Sequence, residues 1–535
     1  MLQLRDAVSI LPQLSLALGA ASANSTLASP AKAVASTTLN DGSASFLLSL
    51  LPHCINARTL HAVLVASNLF WYQAIRQTVA VLSVFMCKEF ATMDTSQQAQ
   101  LIAAPSVGNM VTQAFGGLFL QYLPGGSKTA IAIALVGLAM GCTMLPLALD
   151  YSNSRSPLSS EIFPLGLAFS LLTMQGFLFG PMFPAHTVLL SKWLPPNERG
   201  SAMAYGEIAM SIASMGVPLF VTFIAEYTAK PAAAAASKAV AGWRNGFFVT
   251  GLACFGYLMA WNALGSNEPE SCSYISKKEL ALLKSLQEKS KPMKSSSQVI
   301  DDPKYSEDFS WQSILFHPSI LALFFVHMVY NFVLLSINSW MPTYYNDVLQ
   351  LNPSDAKLHI VLPQLVALVA KLCISKFGRV VRKIRNETAN RKTGGDDPNV
   401  ILFSRRFMGY LGFAVMSLPL TLLPMVAPPK APSALASPWF STWLFSIALV
   451  GTGFHAESFR ANYLDVTRKH VGLVSGVGNC LSSVSAVLAP FVVGKLIQKN
   501  SGDWSSVWRL TSILSLTAGL VFGSFSTTTP VEEQE

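Results

Sequence analysis

FPAHTVLLSKWLPPNERGSAMAYGEIAMSIASMGVPL, residues 183–219, is the stretch whose reading decides the fold. It reads as the end of one apolar helix, a very short polar turn, and the start of another helix. The turn, Lys192 to Gly200, holds Trp193, Pro195, Pro196, Glu198 and Arg199. Proline disfavours helical backbone in the residue before it, so the first helix is expected to stop near Leu194. Beyond the turn, Gly200, Ala202, Ala204, Gly206, Ala209, Ala213 and Gly216 recur at spacings that let one membrane helix lie close against another. The stretch is a tight hairpin at a membrane surface.

Outward from that hairpin the chain keeps the same character. Its 535 residues have a mean hydropathy of +0.43 and only 12% charged residues, where soluble domains carry about a quarter. Six apolar segments lie at 60–87, 99–122, 128–149, 162–191, 201–226 and 243–265. A polar stretch, Gly265 to Phe309, follows, with KKELALLKSLQEKSKPMKSSS inside it. It reads as a linker carrying one short amphipathic helix. Six more apolar segments lie at 313–341, 356–378, 404–427, 437–461, 470–497 and 505–526. Each segment suits the requirement of about 20 apolar residues per span.

The expected fold is therefore an all-α membrane protein, a 12-helix bundle of two pseudo-symmetric six-helix halves. The halves are 59–265 and 312–526, joined by a linker at 266–311 and ending in a short tail at 527–535. Residues 1–58 differ: they are rich in Ala, Ser, Thr and Leu, and Arg5 precedes the apolar run Ala7–Ala23. Two readings stand for this segment, a targeting peptide and a disordered tail.

The net charge of +9 sits in loops. Lys277, Lys278, Lys284, Lys289, Lys291 and Lys294 lie in the linker. Arg379, Arg382, Lys383, Arg385, Arg391, Lys392, Arg405 and Arg406 follow the eighth span, and Arg468 and Lys469 the tenth. All fall on one side if the spans alternate, which makes that side and both termini cytoplasmic. This is an orientation signal and not a nucleic-acid footprint. The seven cysteines are scattered with no CxxC pair and read as packing residues. No GxSxG, HExxH or GxxxxGK[ST] occurs, so no enzyme, cofactor or metal centre is expected. Two six-span sets around a linker are the organisation of a carrier with its substrate site between the halves. Repeated filter loops, which a channel would carry, are absent.

Several motifs in order resemble the anion–cation symporter family within the major facilitator superfamily. That group holds sialin, sodium–phosphate cotransporters, vesicular glutamate and nucleotide carriers, and plant plastid phosphate carriers. Thr112-Gln113 with Gly116-Gly117 resembles its TQ-x-x-GG of the second span. Phe183-Pro184-Ala185 and WLPPNERGSA resemble its fourth-to-fifth hairpin, and Gly242-Trp243 with Phe247 and Phe248 the start of its sixth span. Tyr330-Asn331, Met341–Leu349 and Leu362-Pro363 resemble its seventh and eighth. Asn462, Asp465, Gly472, Gly476, Asn479 and Pro490 resemble its tenth and eleventh. The likeness covers roughly residues 59–526. There are departures. Phe179 stands where many members have an intramembrane glutamate linked to proton coupling, and Thr187 where glutamate carriers have histidine. Tyr330 stands where those carriers have a second substrate-binding arginine, and Arg468 replaces a proline. The departures argue against a dicarboxylate substrate and leave the coupling ion open.

Arg76 lies inside the first span, WYQAIRQTVAVLSVF, away from either end. A cation in hydrocarbon costs a few kcal/mol at least, so it must face a cavity or a partner. Its fork fits carboxylate or phosphate oxygens in pairs, and the resemblance implies an arginine here on the substrate anion. Tyr72 is one helical turn earlier on the same face. Gln113, Tyr330 and Asn331 are polar groups in apolar spans, placed either to line the cavity or to bond helices together.

Glu207 is the most evident intramembrane carboxylate of the first half. It either holds a transported proton or pairs with a base near the turn. His455, Glu457 and Arg460 cluster on the tenth span, where Glu457 and Arg460 are spaced to pair on one face and His455 to titrate near neutrality. Proton relay and structural pairing both remain open there. Lys371 is expected to snorkel to an interface. Asn462 and Asp465 are signature residues by resemblance, and Asp465, with Glu198 and Arg199, is expected at the cytoplasmic gate.

The reading is a monomeric secondary carrier of a small organic or inorganic anion, coupled to H+ or Na+ or driven by membrane potential. It would sit in a plasma or organelle membrane, plastid or vesicle included. Two rivals stand beside it: a carrier of neutral or cationic solutes on the same scaffold, and a membrane sensor that binds anion without moving it.

Overall fold

The computed structural model describes residues 56–90, 93–155, 163–194, 196–228, 242–290, 311–388, 398–426, 437–467 and 470–533. The N-terminal tail and the Glu198 and Arg199 side chains lie outside the described residues.

The first half runs α1 Ala57–Glu89, α2 Thr95–Tyr122, α3 Gly126–Arg155, α4 Phe163–Phe179 with α5 Met182–Trp193, α6 Pro196–Tyr227 and α7 Trp243–Leu264. A linker helix α8, Lys277–Ser290, and a short α9, Trp311–Leu315, lead to the second half. This consists of α10 Pro318–Asp347, α11 Pro353–Thr388, α12 Pro398–Val426, α13 Pro438–Phe454 with α14 Phe459–Asp465, α15 Val471–Lys499 and α16 Ser505–Phe525. Counting α4–α5 and α13–α14 as one span each gives twelve. Among the described residues nine helices are long and apolar enough to cross a membrane by length and composition. The spans outside that set are α1, α2 and the tenth. Asn68, Gln73, Arg76 and Gln77 dilute α1, and Gln97, Gln98, Asn109 and Gln113 dilute α2. The tenth is cut into pieces of 17 and 7 residues. Two of the three are thus set apart by their polar residues and the third by its break.

The opening hairpin behaves as its prolines require. Leu194 is extended and caps α5. Helix resumes already at Pro196, where the missing N–H costs nothing. The turn is therefore shorter than Lys192–Gly200. Gly206 packs on α1, where an added Cβ would come within 2.7 Å of Leu69 Cδ1. Gly216 departs from the expected small-residue face, with nothing within 4 Å of such a Cβ. The eighth span also runs on to Thr388 rather than 378 as an amphipathic extension.

Each half has its own core. One gathers Trp193, Trp243, Trp261 and Phe247; the other gathers Trp340, Tyr344, Phe445 and Trp508. The halves meet along α2 on α15, α6 on α11 and α1 on α10. The linker end of the bundle holds the start of α1 and the end of α7; the far end is the opposite one. At the linker end Glu279 of α8 accepts the Ala57 and Arg58 backbone N–H groups at 3.1 and 3.0 Å. The expected linker helix thereby caps the span that carries Arg76.

Candidate functional site

Two spans are broken at corresponding places, the fourth and the tenth. In the fourth, Pro181 has no N–H to give the Phe177 carbonyl one turn back. The Thr112 hydroxyl of α2 supplies that donor at 2.9 Å. Gly180 makes the approach possible, because a Cβ there would sit 1.8 Å from Thr112 Oγ1. In the tenth, residues 455–458 form turns and Ser458 has φ −104 and ψ −115. Arg405 of α12 donates to the Glu457 carbonyl at 3.0 Å. Interrupted membrane helices are tolerated where neighbours satisfy the freed backbone in this way.

Arg76 stands beside the first break. Its Nη1 donates to the Tyr72 hydroxyl at 2.6 Å, so the expected one-turn pairing is present. The Tyr72 ring stacks on Phe179, centroids 4.0 Å apart and 7° from parallel. A residue that stands in place of a carboxylate thus holds the tyrosine. Ile75, Val79, Pro105, Leu138, Gln175 and Gly176 line the space next to the guanidinium. That space is about 10 Å³, room for one water. Among the described residues no carboxylate pairs with Arg76.

The second break organises two ion clusters, and here the structure corrects the sequence reading. Glu457 does not pair with Arg460. The break between them destroys the one-face spacing on which that expectation rested. Glu457 Oε2 instead lies 3.1 Å from Arg382 and 3.5 Å from Arg405, and Arg405 Nε reaches Asp465 at 2.8 Å. These charges balance two against two inside one half. Arg460 turns the other way, toward the first half, and donates to Glu207 Oε1 of α6 at 3.1 Å. Lys371 of α11 lies 4.0 Å from Glu207 Oε2. Its ammonium therefore has a carboxylate partner across the interface between the halves. Glu207 pairs with bases, but bases of the opposite half.

The other expected residues fall around this axis. Tyr330 lies under Arg460, whose Cζ is 5.3 Å from the ring centroid. Asn331 beside it is half-buried. Gln113 accepts a hydrogen bond from Ser483 of α15, so it joins the halves at mid-depth. His455 is fully buried between Tyr330, Phe413 and Phe459, with neither ring nitrogen bonded. Such surroundings suit an uncharged packing ring better than a relay. Asn462 donates to the Thr527 carbonyl at 2.7 Å, tying α14 to the chain end. Asp465 faces Arg405 of its own half rather than the opposing half.

At the far end the halves are joined by polar contacts. Gln98 donates to Thr343 at 3.0 Å, Gln498 to Asp94 at 3.3 Å, and Lys357 lies 3.9 Å from Glu226. Sequence reasoning missed Arg460 and Lys371 as partners of Glu207. The one available signal was arithmetic: lone intramembrane charges of opposite sign in both halves.

The family model of the Major Facilitator Superfamily matches residues 14–456. A probable anion transporter 4, chloroplastic, of Oryza sativa subsp. japonica is 24% identical over 424 residues, 78% of this chain and 60% of that one. The chain thus spans less than two thirds of that relative. An ascorbate transporter, chloroplastic, of Arabidopsis thaliana is 24% identical over 491 residues, 87% of this chain and 79% of that one. A putative inorganic phosphate cotransporter of Drosophila melanogaster is 24% identical over 364 residues, 66% of this chain and 59% of that one. Among solved structures, the inward-open xylose transporter XylE from E. coli covers 86% of this chain and 95% of its own, with TM-score 0.58 and 12% identity. At that identity the likeness concerns the fold alone.

Proposed function

Because the chain belongs to the Major Facilitator Superfamily, we propose that this multi-pass membrane protein is a secondary carrier of a small organic or inorganic anion. The observation that carries the reading is a positive excess around the two breaks; at the far end Arg244 sits between Glu89 and Asp150 and adds none. The Arg382–Arg405–Glu457–Asp465 cluster is balanced, but Arg460 and Lys371 share one carboxylate, and Arg76 adds a charge with no carboxylate on it among the described residues. Uncompensated intramembrane cations are costly and mark an anion path. The relatives named as anion, ascorbate and inorganic phosphate transporters support the same class.

The half-bundles, 59–265 and 312–526, rock about this interior. With the basic linker end cytoplasmic, the far-end contacts close the outer side. Tyr72 positions Arg76 to receive the anion, and Tyr330, Asn331 and Gln113 line the path. Glu207 is the carboxylate placed to answer a coupling proton or sodium ion. Glu457, 25% exposed against 44% for Glu207 and tied to two arginines of its own half, is not. An anion moved alone gains about 2.3 kcal/mol per charge per 100 mV, enough for accumulation of about 50-fold. The membrane is that of an organelle or the cell surface, with residues 1–58 the candidate address.

The test is uptake into liposomes holding the purified protein. Phosphate, ascorbate, glutamate, sialate and nucleotide are offered under imposed pH, sodium and voltage gradients. Uptake of at least one anion is expected, falling about 10- to 100-fold in Arg76→Ala and partly retained in Arg76→Lys. Transport untouched by both variants would remove Arg76 from the path.

A further inference from the structure

Glu207 presents its two carboxylate oxygens to two different cations. Arg460 Nη1 takes Oε1 at 3.1 Å, and Lys371 Nζ lies 4.0 Å from Oε2. The carboxylate comes from α6 of one half, and both cations come from α11 and α14 of the other. All three side chains keep accessible surface at their tips: Glu207 is 44% exposed, Arg460 40% and Lys371 33%. The neighbouring bridge inside the second half is tighter in this respect, with Glu457 at 25% and Arg405 at 13%. The cations are also held independently of Glu207. Arg460 rests on the Tyr330 face, and Tyr330 is in turn fixed by the His455 and Phe459 rings. Gly453 lets the Lys371 backbone come close to α13.

This arrangement is a ready anion clamp with a side chain of the protein in it. A guanidinium and an ammonium set to share the oxygens of one carboxylate will equally share those of a free carboxylate or an oxyanion. We propose that Arg460 and Lys371 form a second anion subsite, separate from Arg76, and that Glu207 is its built-in counter-ion, displaced when substrate binds. The inference rests on the anion-carrier reading and names the substrate class for this place: an oxyanion or carboxylate with at least two acceptor oxygens. The exchange has a mechanical consequence. Glu207 ties α6 to the opposite half, whereas a bound anion fills both cations from within and leaves Glu207 untied. The empty carrier is latched across its halves and the loaded one is released.

The test uses the purified full-length protein in nanodiscs, with inorganic phosphate and ascorbate as probes and ionic strength held constant with chloride. Half-saturating concentrations come from thermal-unfolding shifts. Glu207→Gln vacates the clamp, so the half-saturating concentration of at least one probe should fall about tenfold. Glu207→Asp, which keeps the charge but shortens its reach, should give a smaller gain and covers the case in which the glutamine variant does not fold. Adding Arg460→Ala or Lys371→Met to Glu207→Gln should abolish the gain. If neither Glu207 variant binds either probe more tightly than wild type, the subsite is overturned, even where wild-type liposomes carry an anion normally. If Glu207→Gln gains an Arg460-dependent site but wild type carries no anion, the subsite stands and the carrier reading falls.

Discussion

The fourth and tenth spans are broken at matching positions, yet the breaks are filled by opposite chemistry. At the first, Phe179, Gly180 and Pro181 are apolar, and one hydroxyl from α2 repairs the backbone. At the second, Glu457 and Arg460 flank the gap, and a guanidinium from α12 repairs it. Paired interruptions in corresponding spans point to the binding region of carriers built from two repeats. The contrast separates two duties. The apolar break makes a fixed wall: Phe179 stacks Tyr72, and Tyr72 holds Arg76. At the charged break Arg460 sits on a short helix whose partner lies across the interface between the halves.

The largest expected effect falls at the charged break. Glu457→Ala strips one shared partner from Arg382 and Arg405, which are 21% and 13% exposed. Breaking a buried pair costs about 3–5 kcal/mol, and partial exposure here brings that to about 2 kcal/mol. The check is the thermal-unfolding midpoint in detergent, with Glu457→Gln as the milder partner variant. A midpoint equal to wild type would mean that the balanced cluster does not hold the broken span.

At the apolar break the effect is smaller because a neutral hydrogen bond replaces an ionic one. Thr112→Val keeps the shape and leaves the Phe177 carbonyl without a donor, a loss of about 1–2 kcal/mol. Thr112→Ser should restore most of it. Equal losses in both variants would show that the side chain matters for packing and not for the carbonyl.

Much of this architecture was legible in the sequence because its causes are local. Apolar run length placed twelve spans, Pro195 and Pro196 placed the hairpin, and one-turn spacing placed Tyr72 against Arg76. The second break was not legible, since no proline marks it and only the backbone at Ser458 reveals it. A continuous helix would have paired Glu457 with Arg460, and that assumption hid the true partners. Glu207 and Arg460 are 253 residues apart and in different halves. Helical periodicity says which face a residue lies on, but not which distant face it meets. The partner of Lys371 was hidden for the same reason: its Nζ lies 4.0 Å from Glu207, where the sequence offers only a long flexible stem.

The smallest effect tests whether the wall beside Arg76 positions rather than binds. Tyr72→Phe keeps the stack on Phe179 and removes only the hydroxyl that Arg76 contacts at 2.6 Å. Losing one acceptor should cost about 1 kcal/mol of anion affinity, a rise in KM of about fivefold. Because the ring stays packed, the unfolding midpoint and kcat should not move. A fall in kcat at constant KM would instead place the hydroxyl in the rocking step, and an unchanged KM would free Arg76 from it. Phe179→Ala, which removes the wall and leaves the hydroxyl, should raise KM by a similar factor if stacking is what aims it. Agreement between the two variants is the signature of a fixed wall, since a group that touched substrate directly would respond to loss of its hydroxyl far more than to loss of its backing ring.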